Sequence, residues 1–159
     1  MEIATADLYD AFGEELAVLA PIFSDYGGKT SFCGEITTLK VFEDNSLVRT
    51  ELEKPGNNRV LVIDGGGSLR CALVGDNLAI LGNENGWSGI VVFGCVRDSM
   101  QLSGITLGVK ALGVNPRKSV KKGEGERDVV LSFAEVKIEP GEYLYADADG
   151  IVISKNALS

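Results

Sequence analysis

The sequence predicts an α/β fold with a mixed sheet arranged around a central βαβ unit. Residues 60–64 and 89–94 are apolar runs, and residues 76–85 between them have helical spacing, with Leu78 and Leu81 on one face. Runs with apolar residues on both faces are typical of strands buried in a parallel sheet. A strand, a helix and a second strand in this order predict a βαβ unit with parallel strands.

The other elements are assigned in chain order. Residues 5–19 open with Thr5-Ala6-Asp7 and have a helical pattern, and the pair Gly27-Gly28 marks a turn. Three glycines at 65–67 end the first apolar strand, and Asn85-Gly86 ends the helix. Further strands are predicted over residues 105–114, 129–133, 136–138 and 151–154, with turns at Pro140-Gly141 and Asp149-Gly150.

The composition limits the chemistry. The chain has 159 residues, enough for one domain with a sizeable core, and it contains no histidine. This excludes Ser-His-Asp and Cys-His triads, His-liganded zinc and the commonest general base. The net charge of -8 argues against direct binding to nucleic acid. It fits an ordinary cytosolic enzyme and a binder of a basic protein equally well.

The cysteines and the N-terminus indicate the compartment. Cys33, Cys71 and Cys95 are odd in number, far apart and without a C-x-x-C motif, so we interpret them as reduced thiols rather than a disulfide frame or zinc site. The acidic N-terminal residues do not resemble a signal or transit peptide, and no stretch of about 18 apolar residues is present. We therefore expect a cytoplasmic protein without membrane contact.

A candidate site lies where the two apolar strands end. Ligands of open α/β sheets bind at the carboxyl ends of the parallel strands, and Arg97 and Asp98 follow the second run. The planar guanidinium of Arg97 suits a carboxylate, and Asp98 offers a hard oxygen ligand for magnesium or manganese. Free amides at residues 75–78, where the helix begins, add anion contacts. This combination predicts a carboxylate substrate that also chelates a metal.

Structural alternatives exist for each of these residues. Asp98 and Gln101 have the spacing of a capping box, so Asp98 could merely cap a helix. Arg97 could sit in a surface ion pair of little energetic value. The glycines at 65–67 lack both phosphate-binding patterns and indicate a tight turn. Cys95 has no histidine beside it and is interpreted as a core residue rather than a nucleophile.

Two further segments are assigned to structure. Asp147-Ala148-Asp149-Gly150 resembles the start of a calcium loop but lacks the later Glu, so we predict a hairpin turn. Four basic residues without interleaved aromatics indicate an exposed edge or loop rather than an RNA site. These four residues are Arg117, Lys118, Lys121 and Lys122.

Four segments of the chain are similar to one family. Residues 23–28, 60–67, 89–98 and 144–154 resemble the regulator of ribonuclease E activity A and the class II 4-hydroxy-4-methyl-2-oxoglutarate aldolases. The resemblance covers nearly the whole chain, so residues 1–159 are expected to form one domain of this type. It implies a swivelling three-layer β/β/α domain assembled as a ring-shaped homotrimer.

The resemblance also implies roles for the site residues. The aldolases share an Asp followed by twenty residues and Arg-Asp, which correspond here to Asp76, Arg97 and Asp98. By resemblance, Arg97 binds the substrate carboxylate, Asp98 holds a divalent cation partly through water, and Asp76 orients the water that moves protons. The substrate is expected to lie along the helix start, against Gly75, Asp76, Asn77 and Leu78.

The implied activity is that of a metal-dependent, pyruvate-forming lyase acting on a small 2-keto acid. It would cleave 4-hydroxy-4-methyl-2-oxoglutarate to two pyruvates and decarboxylate oxaloacetate through the same pyruvate enolate. Some aldolases have an acid where this chain has Gln101, and some longer ones bring a Glu from a neighbouring subunit, with no evident equivalent here. Decarboxylation needs no base for a hydroxyl proton, so it should tolerate these departures better than aldol cleavage.

Two expectations remain from the sequence. Because the site has no side chain of near-neutral unperturbed pKa, water at the metal is the expected proton carrier. The alternative function is a protein inhibitor that binds ribonuclease E and modulates RNA decay. Residues 23–45 look closer to that short regulator branch, which requires neither metal nor Asp76.

Overall fold

The computed structural model describes residues 3–158. The helices are α1 (Thr5–Phe12), α2 (Ser46–Leu52), α3 (Asp76–Glu84) and α4 (Ser99–Leu102). The strands are β1 (Ala17–Val18), β2 (Ser24–Asp25), β3 (Phe32–Lys40), β4 (Val60–Asp64), β5 (Ala72–Val74), β6 (Gly89–Val96), β7 (Gly108–Val114), β8 (Glu126–Arg127), β9 (Leu131–Phe133), β10 (Val136–Ile138), β11 (Tyr143–Asp147) and β12 (Gly150–Ser154).

Most strands join one mixed sheet. Its order is β1-β12-β11-β3-β4-β6-β7-β2, with β5 paired to β6 and β8 paired to β3, while β9 and β10 form a separate hairpin. The pairs β3–β4, β4–β6 and β6–β7 are parallel, and the flanking pairs are antiparallel. The predicted α/β class, mixed sheet and central βαβ unit are confirmed.

The central strands are buried on both faces, as their sequences predict. Leu61 and Ile63 belong to a core shared with the helices α2 and α3. Val60 and Val62 belong to a second core, shared with β9, β10, β11 and β12. Since successive strand residues point to opposite faces, one apolar run fills both cores. The parallel strands β3, β4, β6 and β7 therefore separate a helical layer from a second β layer, which is formed by β9 and β10 together with the β11–β12 end of the same sheet. This is the expected β/β/α arrangement.

The strand β5 determines the edge of the sheet at which α3 begins. The sequence analysis assigned no strand between β4 and α3, but β5 pairs in parallel with the end of β6, with Val74 opposite Val96. Helix α3 starts two residues after β5, with Gly75 as its N-terminal boundary residue. The helix start and the residues after β6 consequently lie at the same edge of the sheet.

The predicted helix over residues 5–19 was wrong beyond Phe12. Helix α1 ends at Gly13, which adopts φ +53°, a conformation that glycine tolerates better than other residues. A short 3-10 turn over Gly13–Glu15 follows, and the chain then extends into β1 against β12. Leu16 is buried beside Tyr145 and Val152 in a third, smaller core, which requires this change of direction.

Two long elements were missed by the sequence analysis. The strand β3 contains Gly34 and Glu35, which obscure its alternation, and Gly34 is required because a Cβ there would lie 2.2 Å from the Asn58 carbonyl oxygen. Helix α2 lacks a clear start signal at its own boundary, where Asn45 makes no side-chain cap hydrogen bond.

The bounds of the other predicted strands differ only slightly from the predictions, whereas the strands β2, β8 and β11 were not predicted. β7 begins at Gly108 rather than at residue 105, and β9 begins at Leu131 rather than at residue 129. β12 begins at Gly150, opposite Asp147, which confirms the hairpin turn between β11 and β12. Within residues 3–158, no helix is long and apolar enough to span a bilayer.

Candidate active site

The six predicted site residues line one cleft at the carboxyl ends of β5 and β6. The cleft has a volume of about 160 Å³ and is bordered by Gly75, Asp76, Asn77, Leu78, Arg97 and Asp98. Pockets for drug-sized ligands typically measure 300–1,000 Å³, so this cleft suits a small ligand.

Arg97 extends the pairing of β5 with β6 and directs its guanidinium to the cleft. Its backbone N–H donates to the Val74 carbonyl oxygen at 2.9 Å, which fixes the start of the side chain. The guanidinium makes one long hydrogen bond, from Nη1 to the Pro116 carbonyl oxygen at 3.4 Å. Among residues 3–158 it has no ion-pair partner, so the surface ion pair considered above is not formed. Its remaining donors are available to an anionic ligand.

Asp98 does not form the capping box that its spacing suggests. It precedes α4 with φ +59°, in the left-handed region, and makes no side-chain hydrogen bond to that helix. Its Oδ2 accepts instead from the backbone N–H of Asp76 at 3.0 Å. The carboxylate thus caps α3, where negative charge is stabilised by the helix dipole. This hydrogen bond joins Asp76 and Asp98, the first and last residues of the motif that also contains Arg97, and we call the arrangement the closed motif.

Gly75 allows the carboxylate to reach the helix. A Cβ at this position would lie 2.6 Å from Asp98 Oδ2 and 3.3 Å from Arg97 Cγ. Real Cβ atoms essentially never approach a heavy atom that closely. Glycine is therefore needed here for space, although its own φ of -125° is open to any residue.

The start of α3 supplies both side-chain and backbone groups. Asp76 is partly exposed at the cleft, and one of its carboxylate oxygens accepts from the Asn77 N–H at 2.8 Å. Leu78 buries its side chain in the helical core, so its contribution to the cleft is the backbone at the positive end of the helix.

A wall of basic residues completes the cleft, and the sequence analysis missed it. Arg49 from α2 and Lys118 and Lys121 from the loop after β7 all line the same cleft as the motif. The four basic residues between Arg117 and Lys122 are exposed, as predicted. However, the backbone N–H of Ala72 donates to the Arg117 carbonyl oxygen at 2.7 Å, which brings this loop alongside β5. The spacing in sequence gives no signal of that approach.

The chemistry of the donors fits magnesium or manganese. Within the described part of the chain, no three His, Cys, Asp or Glu side chains converge on one point, which does not fit a closed zinc or calcium cage. Magnesium is commonly held by one or two carboxylates together with water and substrate oxygens. Asp98 presents one such carboxylate at the cleft.

The other sequence candidates are structural. Cys95 is 2% exposed, and burial raises the pKa of its thiol, which disfavours the reactive thiolate. Burial also raises the pKa of Cys71. Asp64 Oδ1 accepts from the Gly66 N–H at 2.8 Å, and Gly66 has φ +69°, as expected for a tight turn.

Comparison with known proteins identifies the family. Residues 5–153 match the RraA-like family model, whose description is Aldolase/RraA. The chain belongs to the RraA-like family.

The relatives of this RraA-like chain carry different names. It is 61% identical to a protein from Alkalilimnicola ehrlichii named "Putative 4-hydroxy-4-methyl-2-oxoglutarate aldolase", over 99% of this chain and 98% of the relative. A Geobacillus kaustophilus structure, described as S-adenosylmethionine:2-dimethylmenaquinone methyltransferase, is 51% identical with a TM-score of 0.96, covering 98% of this chain and 97% of that chain. The RNA-processing inhibitor RraA from Thermus thermophilus is 46% identical with a TM-score of 0.96, covering 100% and 96%.

The three relatives carry three different functional names, and the two solved structures among them share the fold of this chain. The fold therefore does not decide among the three, and function has to be argued from the site.

Proposed function

We propose that this RraA-like protein is a divalent-metal-dependent lyase that releases pyruvate from small 2-keto acids. The substrates proposed are 4-hydroxy-4-methyl-2-oxoglutarate, by aldol cleavage, and oxaloacetate, by decarboxylation. The observation that carries the proposal is the closed motif, in which Arg97, Asp98 and the start of α3 face one small cleft.

The cleft offers separate places for the two ends of a dicarboxylate. The guanidinium of Arg97 is positioned to bind the carboxylate next to the keto group through paired hydrogen bonds. Arg49, Lys118 and Lys121 also line the cleft and would receive the distal carboxylate. The backbone at Leu78 adds the positive end of a helix. Basic groups for both anionic ends would favour a dicarboxylate in this small polar cleft.

The same residues favour the proposed reaction. Carbon–carbon bond cleavage leaves negative charge on the keto oxygen of the pyruvate fragment, and a fixed positive charge stabilises it more strongly than it stabilises the substrate. Arg97 supplies such charge from the protein. A magnesium or manganese ion held by Asp98 would supply further positive charge for this oxygen.

Proton movement is proposed to depend on Asp76. Its partly exposed carboxylate lies at the cleft one residue from Gly75, where it can hold a water molecule near the substrate. Aldol cleavage requires removal of a hydroxyl proton, whereas decarboxylation requires only later protonation of the enolate. A substitution of Asp76 by Asn should therefore slow aldol cleavage more than decarboxylation.

A coupled pyruvate assay tests the proposal. The wild-type protein should release pyruvate from oxaloacetate and from 4-hydroxy-4-methyl-2-oxoglutarate with added magnesium, and EDTA should abolish the release. Asp98→Ala should lose both activities while keeping a folded circular-dichroism spectrum. Pyruvate release by Asp98→Ala, or release unaffected by EDTA, would contradict the assignment. The spontaneous decarboxylation of oxaloacetate in the same magnesium buffer is the necessary blank.

The second candidate is an inhibitor of RNA processing. It is favoured by the 46% identity to Thermus thermophilus RraA over the whole chain. A pull-down with ribonuclease E, run beside the pyruvate assay, separates the candidates. Binding without pyruvate release identifies a regulator, and release without binding identifies an enzyme.

We also propose that the chain forms a homotrimer in the cytoplasm. Exposed apolar side chains at the carboxyl end of the sheet, among them Phe42 and Leu69 at 59% exposure each, support self-association. Light scattering coupled to size-exclusion chromatography should give three times the 16.9 kDa chain mass.

A further inference from the structure

The basic wall of the cleft is built on an irregular loop. Residues 115–125 connect β7 to β8 and contain Arg117, Lys118, Lys121 and Lys122. Side chains of like charge in one short segment repel one another, so the loop has no local reason to stay folded against the cleft. Its position must be imposed by another part of the chain.

Asp44 is the residue that makes the decisive contacts. It is 2% exposed and directly precedes the cleft residue Asn45. Its Oδ1 accepts from the backbone N–H and the hydroxyl of Ser46, at 2.9 Å and 2.6 Å. Its Oδ2 accepts from the backbone N–H groups of Lys122 and Glu124, at 2.9 Å and 3.1 Å. One oxygen thus organises the start of α2, and the other holds the basic loop.

Neighbouring residues add to this attachment. The Ser46 hydroxyl accepts from the Gly123 N–H at 3.1 Å, and the Glu43 carbonyl oxygen accepts from the Val120 N–H at 3.2 Å. The Ser119 hydroxyl donates to Asn45 Oδ1 at 2.8 Å and accepts from the Asn45 N–H at 3.2 Å. Residues 119–124 of the loop are therefore bound to residues 43–46, with the buried carboxylate at the centre, whereas residues 115–118 are held by β5 and the ends of neighbouring segments.

The charge on Asp44 is maintained by these contacts. Burial opposes ionisation, but hydrogen bonds from Ser46, Glu124 and Lys122 outweigh it and lower the pKa of this carboxyl from 3.8 to about 2. Hydrogen bonds to a charged acceptor are stronger than those between neutral groups. The attachment consequently persists at any pH at which the protein is expected to work.

We propose that Asp44 is a positioning residue that holds residues 119–124 of this loop, so that Lys121 meets the distal carboxylate of the substrate beside Lys118. This role rests on the proposed lyase function. Asp44 itself does not line the cleft, and it acts on the substrate only through the loop. Its loss should therefore weaken substrate binding at the distal end and leave Arg97 and Asp98 in place.

The substitution Asp44→Asn tests the proposal, because it removes the charge with little change in shape. We expect the KM for 4-hydroxy-4-methyl-2-oxoglutarate, whose distal carboxylate keeps its charge throughout aldol cleavage, to rise roughly tenfold with kcat changed less than twofold, because a contact that is equally strong in the substrate and in the transition state affects binding alone. The inhibition constant for pyruvate, which has no distal carboxylate, should not change. A general disturbance of the site would raise both constants together and would overturn the proposal.

A second readout does not depend on activity. Proteolysis requires the backbone to detach locally, so trypsin cleavage after Lys121 and Lys122 should be at least tenfold faster in Asp44→Asn than in the wild type. Asp147→Asn is the matched control. Asp147 also accepts several hydrogen bonds and has a lowered pKa, mainly through Thr5, but it lies at the β11–β12 turn. Loop cleavage at the wild-type rate in Asp44→Asn would overturn the proposal.

The outcomes separate this proposal from the proposed function. If the wild-type protein releases no pyruvate, the lyase function fails, and loop cleavage alone decides whether Asp44 holds the loop. If the wild-type protein is active but the KM of Asp44→Asn is unchanged, the positioning role fails. Should Asp44→Asn not fold, Ser46→Ala removes one bond to Asp44 and one to Gly123 and is judged by the same readouts.

Discussion

Replacing Gly75 by alanine is a stringent test of the closed motif. The added Cβ would lie 2.6 Å from Asp98 Oδ2, and ordinary contacts begin at 3.4 Å, so the carboxylate or the backbone has to move by about 0.8 Å. The same Oδ2 atom accepts the Asp76 N–H at 3.0 Å. A displacement of that size weakens or breaks this bond, because no other atom of Asp98 is engaged with α3.

The expected cost follows from the two interactions that are changed. Overpacking typically costs about 1–3 kcal/mol, and a hydrogen bond to a charged group contributes about 1.5–3 kcal/mol. The site is partly exposed and can relax, so we expect Gly75→Ala to lower the free energy of unfolding by about 2 kcal/mol. Pyruvate release should fall at least a hundredfold, because the carboxylate proposed to hold the metal is displaced.

Urea denaturation and the coupled pyruvate assay measure these effects. Gly113→Ala is the control, since its Cβ would meet nothing closer than Cys95 Sγ at 3.8 Å. It should change the free energy of unfolding by less than about 1 kcal/mol, because an alanine that fits without strain only restricts the unfolded chain. A Gly75→Ala protein with wild-type stability and wild-type activity would refute the link between Gly75, Asp98 and the reaction.

Three further predictions concern acid stability, packing and substrate binding. The pKa of Asp44 is about 2 in the folded protein and 3.8 in the unfolded chain, so its ionised form stabilises the folded state by at most about 2 kcal/mol. This stabilisation is present above pH 3.8 and is lost as the pH falls through 2. Urea titrations at decreasing pH should show the loss in the wild type and not in Asp44→Asn. Gly108→Ala should destabilise the fold by about 3 kcal/mol in the same measurement, because its Cβ would lie 2.1 Å from a ring atom of the buried Phe32. Arg97→Lys should raise the KM for oxaloacetate roughly tenfold, because lysine cannot form paired hydrogen bonds to a carboxylate; an unchanged KM would remove Arg97 from the substrate.

The features that were predictable from the sequence have local causes. The strands β4 and β6 lie between two hydrophobic cores, so both of their faces are apolar. A run of consecutive apolar residues in the sequence is enough to show this. Arg97 and Asp98 were identified from their position after the second apolar run, and the role of Asp76 was implied by resemblance. The pairing of β5 with β6 brings all three residues to one cleft. Their proposed roles await the assays.

The features that were missed depend on distant parts of the chain. Gly34 interrupts the pattern of β3 because the backbone at Asn58 passes close to it, and nothing near Gly34 in the sequence shows this. Lys121 was assigned to an exposed loop because its place at the cleft depends on bonds from Asp44 to Lys122 and Glu124, across 78 and 80 residues. A capping role was considered for Asp98, and the helix that it caps lies before it rather than after it.

The separation of charge in this molecule has a consequence for how a dianion reaches the site. Four basic and two acidic side chains line the cleft, a local excess of two positive charges. The whole chain carries -8. At about 0.01 M ionic strength the screening length is about 30 Å, so an approaching dianion is repelled by the protein as a whole. At about 0.1 M it is about 10 Å, and only the cleft acts on the ligand. Added salt should therefore first accelerate capture of the dianion and then slow it.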